Sequence, residues 1–276
     1  MQKNTALEIF AQTDTGRVRS NNEDAVWVNL SCGSVILADG MGGYNAGEVA
    51  SRMVTEILGR QLEKADAKRA AQPTLAAALS LTQAALKVGI AEANRAIFSA
   101  GQARPDYAGM GTTVVAGVFQ RNFLTVAHVG DSRLYRWRNQ HLEQITRDHS
   151  WLEEQIASGV MTREQALGSR NKNLVTRAVG VEQNVSPEII RYEIADDDIY
   201  LFCSDGLNDM LHDQAIEATL RALSANLDLC GLQLIQSANE SGGRDNVSVI
   251  LVRVIPPKPT LFAYPLRWWR QLLNRV

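Results

Sequence analysis

Residues 112–138 read TTVVAGVFQRNFLTVAHVGDSRLYRWR. Three apolar runs, Thr112–Phe119, Phe123–Val129 and Arg133–Arg138, are separated by short polar breaks. Arg121-Asn122 and Arg138-Asn139-Gln140 mark hairpins. Strands joined by hairpins pair antiparallel, because parallel strands need a long crossover. Upstream, Ala25–Leu30 and Ser34–Ala38 read as two strands around Ser31-Cys32-Gly33-Ser34. Downstream, Ile199–Cys203 and the β-branched run Val247–Ile255 read as two more. Helical spacing (Val49, Met53, Ile57) predicts a helix from Ala46 to about Glu63. A second runs from Pro73 to about Ala100, with Pro at its start. His149 to about Leu167 reads as two short helices broken at Ser158-Gly159, and Leu220 to Glu240 as helical with breaks. The pattern is one α+β domain over residues 5–255, followed by a Pro-rich linker and tail over 256–276.

The chain has 276 residues, 45% hydrophobic and 21% charged, enough to bury a core without disulfide or metal staples. A net charge of −2 and a pI near 6.1 argue against a nucleic-acid binder, which would carry a basic face. Cys32, Cys203 and Cys230 are an odd, widely spaced set, which reads as a reducing compartment. The first residues show no signal-peptide core, and no run of about 18 apolar residues occurs. These features suggest a cytoplasmic protein. None of the four histidines has a zinc-ligand spacing to another His or to Cys.

The chemistry lies in the aspartates. VILAD ends in Asp39, VAHVGD in Asp131 and LFCSD in Asp205, each closing an apolar strand. Asp24 and Asp245 each precede one. In antiparallel sheets, one strand's end and its neighbour's start share an edge, so all five could meet on one rim with Glu23. Clustered carboxylates would stay protonated unless a hard cation joined them. Magnesium and manganese prefer such oxygen ligands, and a pair of them can activate a water and clamp a phosphoryl group. Against this, Asp-Gly after a strand is ordinary turn chemistry, and spacing alone leaves both readings open.

Six motifs bear on the choice: GRVRSNNED (16–24), ADGMGG (38–43), MGTT (110–113), VGDSR (129–133), SDGL (204–207) and GRDN (243–246). In this order they closely resemble the metal-dependent protein phosphatases of type 2C in their bacterial form, over about residues 8–254. The resemblance implies two antiparallel β-sheets packed as a sandwich flanked by helices. It implies hydrolysis of phosphoserine and phosphothreonine in proteins by a water activated by two metal ions, Mn2+ or Mg2+. Asp39 would bridge the ions, Gly40 would offer its carbonyl, and Asp205 and Asp245 would complete the opposite shell. Glu23 and Asp24 would act at or near that shell, mostly through water. Arg19 would hold the substrate phosphate, and Asp131 would help hold a third ion. Phosphorylated proteins are the implied partners, with a serine/threonine kinase as the opposing enzyme by analogy. Arg suits bidentate contact with phosphate, but only the resemblance separates Arg19 from Arg17. The same carboxylates would also serve a two-metal hydrolase of small phosphate esters.

Other residues have plainer readings. Tyr44 stands where bacterial members usually carry His, which leaves the leaving-group acid unassigned. Residues 148–180 match the family's flap, which could steer substrate choice or simply pack. His128 reads as a sheet histidine, His149 as a helix cap, Asp196-Asp197-Asp198 as a solvated turn, and Cys203 as a buried thiol. The segment 256–276 carries four basic residues and no acid, against 24 basic and 30 acidic residues in the rest. On a helical wheel Leu266, Trp268, Trp269, Leu272, Leu273 and Val276 face away from Arg267, Arg270, Gln271, Asn274 and Arg275. Residues 261–276 could lie on an anionic membrane surface or fold back on the domain.

Overall fold

The computed structural model describes residues 5–43, 46–162, 165 and 174–256. Tyr44, part of the expected flap and the tail from 257 lie outside the described residues. Two antiparallel sheets pack face to face between helices. The strands are β1 (Ala6–Asp14), β2 (Asp24–Asn29), β3 (Ser34–Met41), β4 (Gly111–Thr112), β5 (Val114–Gln120), β6 (Phe123–Val129), β7 (Arg133–Arg138), β8 (His141–Gln144), β9 (Glu188–Glu193), β10 (Ile199–Cys203) and β11 (Val247–Ile255). One sheet runs β1-β11-β10-β7-β8, the other β2-β3-β5-β6-β9, with the short β4 beside β3.

The strands read as near-continuous apolar runs because both faces are covered. In β3, Val35 and Leu37 point between the sheets, while Ile36 and Ala38 face the helices α1 (Ala46–Ala70) and α2 (Leu75–Ala103). In β10, Tyr200 and Phe202 meet the opposite sheet. Its Ile199, Leu201 and Cys203 face α5 (Asp213–Leu223) and α6 (Leu227–Glu240). This is the period-two alternation of a sandwich, with apolar residues on both sides. Gly117 in β5 makes room for the ring of Phe202, whose Cζ would lie 2.6 Å from a Cβ there.

By length and composition α2 would cross a bilayer. Here Leu79, Leu86, Ile90, Ala93 and Ile97 are buried in the domain, so it is a core helix. It begins at Leu75, two residues after Pro73, and Thr74 caps it by accepting from the Ala77 N–H. Among the described residues, two further short α-helices are α3 (Trp151–Ala157) and α4 (Asp205–Asn208).

Two local expectations need correction. Ser150, not His149, caps α3, its Oγ accepting from the Glu153 N–H. The Asp196–Asp198 stretch is not simply solvated. Asp197 takes a positive φ of 65°, which swings Asp198 inward to 1% exposure. There Arg138 grips it with two hydrogen bonds of 2.7 and 2.6 Å, and Tyr200 donates a third. A buried carboxylate persists when it is paired and hydrogen-bonded in this way. Separately, Glu188–Glu193 forms an edge strand that the apolar pattern does not mark, because its charged residues conceal it.

Candidate active site

The sheet edges deliver the aspartates to one rim. Asp24 opens β2 and is the direct cross-strand partner of Asp39 in β3. Asp131 follows β6, Asp205 follows β10 as the first residue of α4, and Asp245 stands two residues before β11. The Asp39 carboxyl is held well above the usual carboxylate range, first by burial and then by Asp24, Asp205, Asp131 and Asp245 together. Burial, then Asp131, Asp209 and Asp245, raise Asp205 in the same way. Asp24 and Asp131 are each pushed up to about 6, chiefly by burial. Asp209 joins this field as an exposed neighbour that the strand pattern did not single out.

The rim is fixed by polar contacts beneath it. Thr113 Oγ1 accepts from the Asp39 N–H at 3.0 Å and meets Ser132 Oγ at 2.7 Å. The Thr113 N–H and Thr112 hydroxyl both donate to the Asp39 carbonyl at 2.8 Å. Ser204 Oγ donates to Asp24 Oδ2 at 2.8 Å and accepts from the Ser248 N–H at 2.9 Å. Gly40 sits against Gly47 and Glu23, where a Cβ would lie 2.2 Å from the Gly47 carbonyl. This lets the first turn of α1 close on the strand end, with the Glu23 carboxylate beside it. A helix N-terminus favours such an anion. Burial raises the Glu23 carboxyl nonetheless, opposed by Arg19 and assisted by Asp245 and Glu48. Arg19 stands at the mouth, its side chain 51% exposed, and donates to Asp245 Oδ2 at 2.7 Å. Arg17 instead anchors the loop through its backbone, donating to the Gly243 carbonyl at 2.7 Å.

This donor set suits hard divalent cations. Five carboxylates crowd one rim, and Asp24 Oδ1 is buried with no hydrogen-bond partner among the described residues. Oxygen-only sites of this kind select Mg2+ or Mn2+ over softer metals.

A second cluster, His128, His149 and Glu188, places donor atoms within 4.8 Å of one another. Its hydrogen bonds assign it to structure. The Gly130 N–H donates to His149 Nδ1 at 3.1 Å, which leaves the ring proton on Nε2. His128 Nε2 donates to the Arg147 carbonyl, and the two rings stack at 4.7 Å. Burial lowers both, His149 to about 4. The pair ties the expected flap to the strand end before Asp131, since the His149 N–H also donates to the Gly130 carbonyl and the Thr176 N–H to that of His149.

The family model for protein phosphatase 2C matches residues 13–236. The chain belongs to that family. As a type 2C member it is a metal-dependent serine/threonine protein phosphatase. It is 36% identical over 247 residues to the serine/threonine phosphatase stp of Listeria welshimeri, covering 87% of this chain and 93% of that one. The S. agalactiae serine/threonine phosphatase structure superposes with a TM-score of 0.81 at 36% identity, over 90% of this chain and 99% of that one. The catalytic domain of PstP, solved in complex with 2 manganese ions, gives a TM-score of 0.78 at 35% identity, over 91% and 99%. The type 2C architecture expected from the six motifs is the one observed.

Proposed function

We propose that this type 2C phosphatase releases phosphate from phosphoserine and phosphothreonine proteins at the Asp24–Asp39–Asp205–Asp245 rim, with two Mn2+ or Mg2+ ions as cofactors. The observation that carries this is the convergence of five buried or half-buried aspartates, their charges unbalanced, beside one exposed arginine. Asp39 and the Gly40 carbonyl, Asp205 and Asp245 would hold the ions, with Glu23 and Asp24 supporting and Asp131 serving a third. When bound, such ions supply Lewis acidity, lowering the pKa of water and offsetting phosphoryl charge. Arg19 holds the phosphate oxygens with its planar fork, and its exposure suits a substrate arriving from solvent. Its link to Asp245 orients the guanidinium over the rim. The shared rim keeps the phosphate and the carboxylates in one geometry, which is the positioning part of catalysis.

The partners on this reading are phosphorylated proteins, including those modified by an opposing serine/threonine kinase. The three free, buried cysteines support a reducing, cytoplasmic setting. The basic, amphipathic pattern of residues 261–276 supports a further contact with an anionic membrane surface.

The test is phosphate release from a phosphothreonine peptide with and without Mn2+, comparing wild type with Asp39→Ala. The expected result is Mn2+-dependent release that falls at least about a hundredfold in the variant. Equal release by Asp39→Ala, or release indifferent to chelator, would sink the assignment.

A further inference from the structure

Asn246 stands in the last of the six motifs and has no role in the reading above. It is 5% exposed, and its side chain binds three backbone groups of one loop. Its Nδ2 donates to the Thr15 and Asn21 carbonyls, both at 2.9 Å. Its Oδ1 accepts from the Glu23 N–H at 2.8 Å. Its own N–H donates to Asp245 Oδ1 at 2.8 Å, while Asp245 Oδ2 receives Arg19. One residue therefore grips the loop on both sides of Arg19 and the carboxylate that Arg19 touches.

Between these grips the loop runs along the surface. Residues 17–20 are exposed, Val18 at 69%, so apolar packing does not define their path. Further anchors lie at its ends: the Arg17 and Val18 N–H groups donate to the Gly243 carbonyl, the Gly16 N–H to Asp14 Oδ1, the Asn22 Nδ2 to Thr13 Oγ1 and the Gly40 N–H to the Glu23 carbonyl. Where packing is absent, local order depends on the hydrogen bonds that remain. Glycines on both sides allow the close approach. Gly16 has a φ of 82°, and a Cβ there would lie 2.2 Å from the Asp245 carbonyl. One on Gly206 would lie 2.0 Å from the Asn246 carbonyl. The side chain required must donate twice and accept once in a small buried space. Asn does this, whereas Asp has no N–H and would add charge beside Asp245.

We propose that Asn246 is a positioning residue that locks the Thr15–Glu23 loop, so that Arg19 meets the substrate phosphate in one fixed geometry. The proposal rests on the reading of Arg19 as the phosphate-holding residue, and the experiment separates the two. KM and kcat for a phosphothreonine peptide are measured at saturating Mn2+ for wild type, Asn246→Ala, Arg19→Ala and the double variant. Asn246→Ala is expected to raise KM about tenfold, the scale of a few lost hydrogen bonds, with a smaller change in kcat. On the Arg19→Ala background it is expected to change KM less than about twofold, because coupled residues are not additive. An equal rise in both backgrounds would overturn the proposal while leaving Arg19 in place. An Arg19→Ala variant with unchanged KM would overturn the reading of Arg19 and this proposal with it. Amide exchange supplies a readout independent of turnover. Faster exchange confined to residues 15–23 supports the lock, while unchanged exchange there, or loss of protection throughout the domain, overturns it. Should Asn246→Ala not fold, Asn246→Asp keeps the shape and the acceptor for the Glu23 N–H, and the same readouts apply.

Discussion

Asp131 shows what the rim costs without cations. It is 8% exposed, and burial, then Asp148, push its carboxyl up to about 6 from 3.8, with Arg133 opposing. A carboxyl raised in the folded state favours its neutral form there. Its contribution to stability is therefore fully present below about 4 and is lost as pH rises through about 6. In chelator at pH 7.5, Asp131→Asn should thus stabilise the protein, by about 3 kcal/mol. At pH 4.5 most of that gain should vanish. Thermal melts at the two pH values measure it, and a variant less stable than wild type at pH 7.5 in chelator would count against the field described here. Added Mn2+ should narrow the difference, since an ion held by Asp131 favours the charged form. At this scale the sequence was only partly legible. Asp24, Asp39, Asp131, Asp205 and Asp245 could be placed because strand ends mark them. Asp198 could not, because its burial depends on Arg138, sixty residues away in sequence and visible only once β7 pairs β10. His149 was misassigned for a similar reason, since its partner Gly130 comes from the strand end beside it in space.

Elements were legible where burial was two-sided. Phe123–Val129, Arg133–Arg138, Ile199–Cys203 and Val247–Ile255 lie at the bounds the apolar runs suggest. β9 escaped because an edge strand tolerates Glu, Arg and Tyr on its open side. α1 runs past Glu63 to Ala70 through polar residues, held by Arg69, which donates to the Cys32 carbonyl and Thr82 and pairs with Asp66. Helix-to-sheet spacing is set by small residues that no periodicity reveals. In α6, Gly231 lies over Phe10 of β1, and a Cβ would come within 2.1 Å of the ring. Gly→Ala in a helix gains up to about 1 kcal/mol in propensity, but overpacking a core costs about 1–3 kcal/mol. Gly231→Ala should therefore lower the melting temperature while leaving the rim intact. A higher melting temperature would show that α6 shifts outward freely.

At the scale of the whole molecule, the six motifs are far apart in sequence and join only at the rim of the sandwich. Antiparallel pairing made that meeting foreseeable, whereas the polar floor of Thr113, Ser132, Ser204 and Asn246 was not, because hydroxyls and amides carry no periodic mark. The remaining question at this scale is charge. The chain through Ile255 is net acidic, while 256–276 is wholly basic in its charged residues. The described domain closes on itself at that boundary, with Ile255 opposite Ala6 in the β1–β11 ladder. Deleting residues 257–276 should leave the melting temperature and peptide phosphatase activity within error of the full chain. It should also abolish co-sedimentation with vesicles containing anionic lipid, a contact that added salt weakens because it is electrostatic in part. A melting temperature lowered by the deletion, with no vesicle binding by the full chain, would instead place the Trp268-Trp269 face on the domain itself. The two outcomes separate cleanly because a segment that covers apolar surface stabilises the fold, whereas one reserved for a membrane contributes nothing until lipid is present.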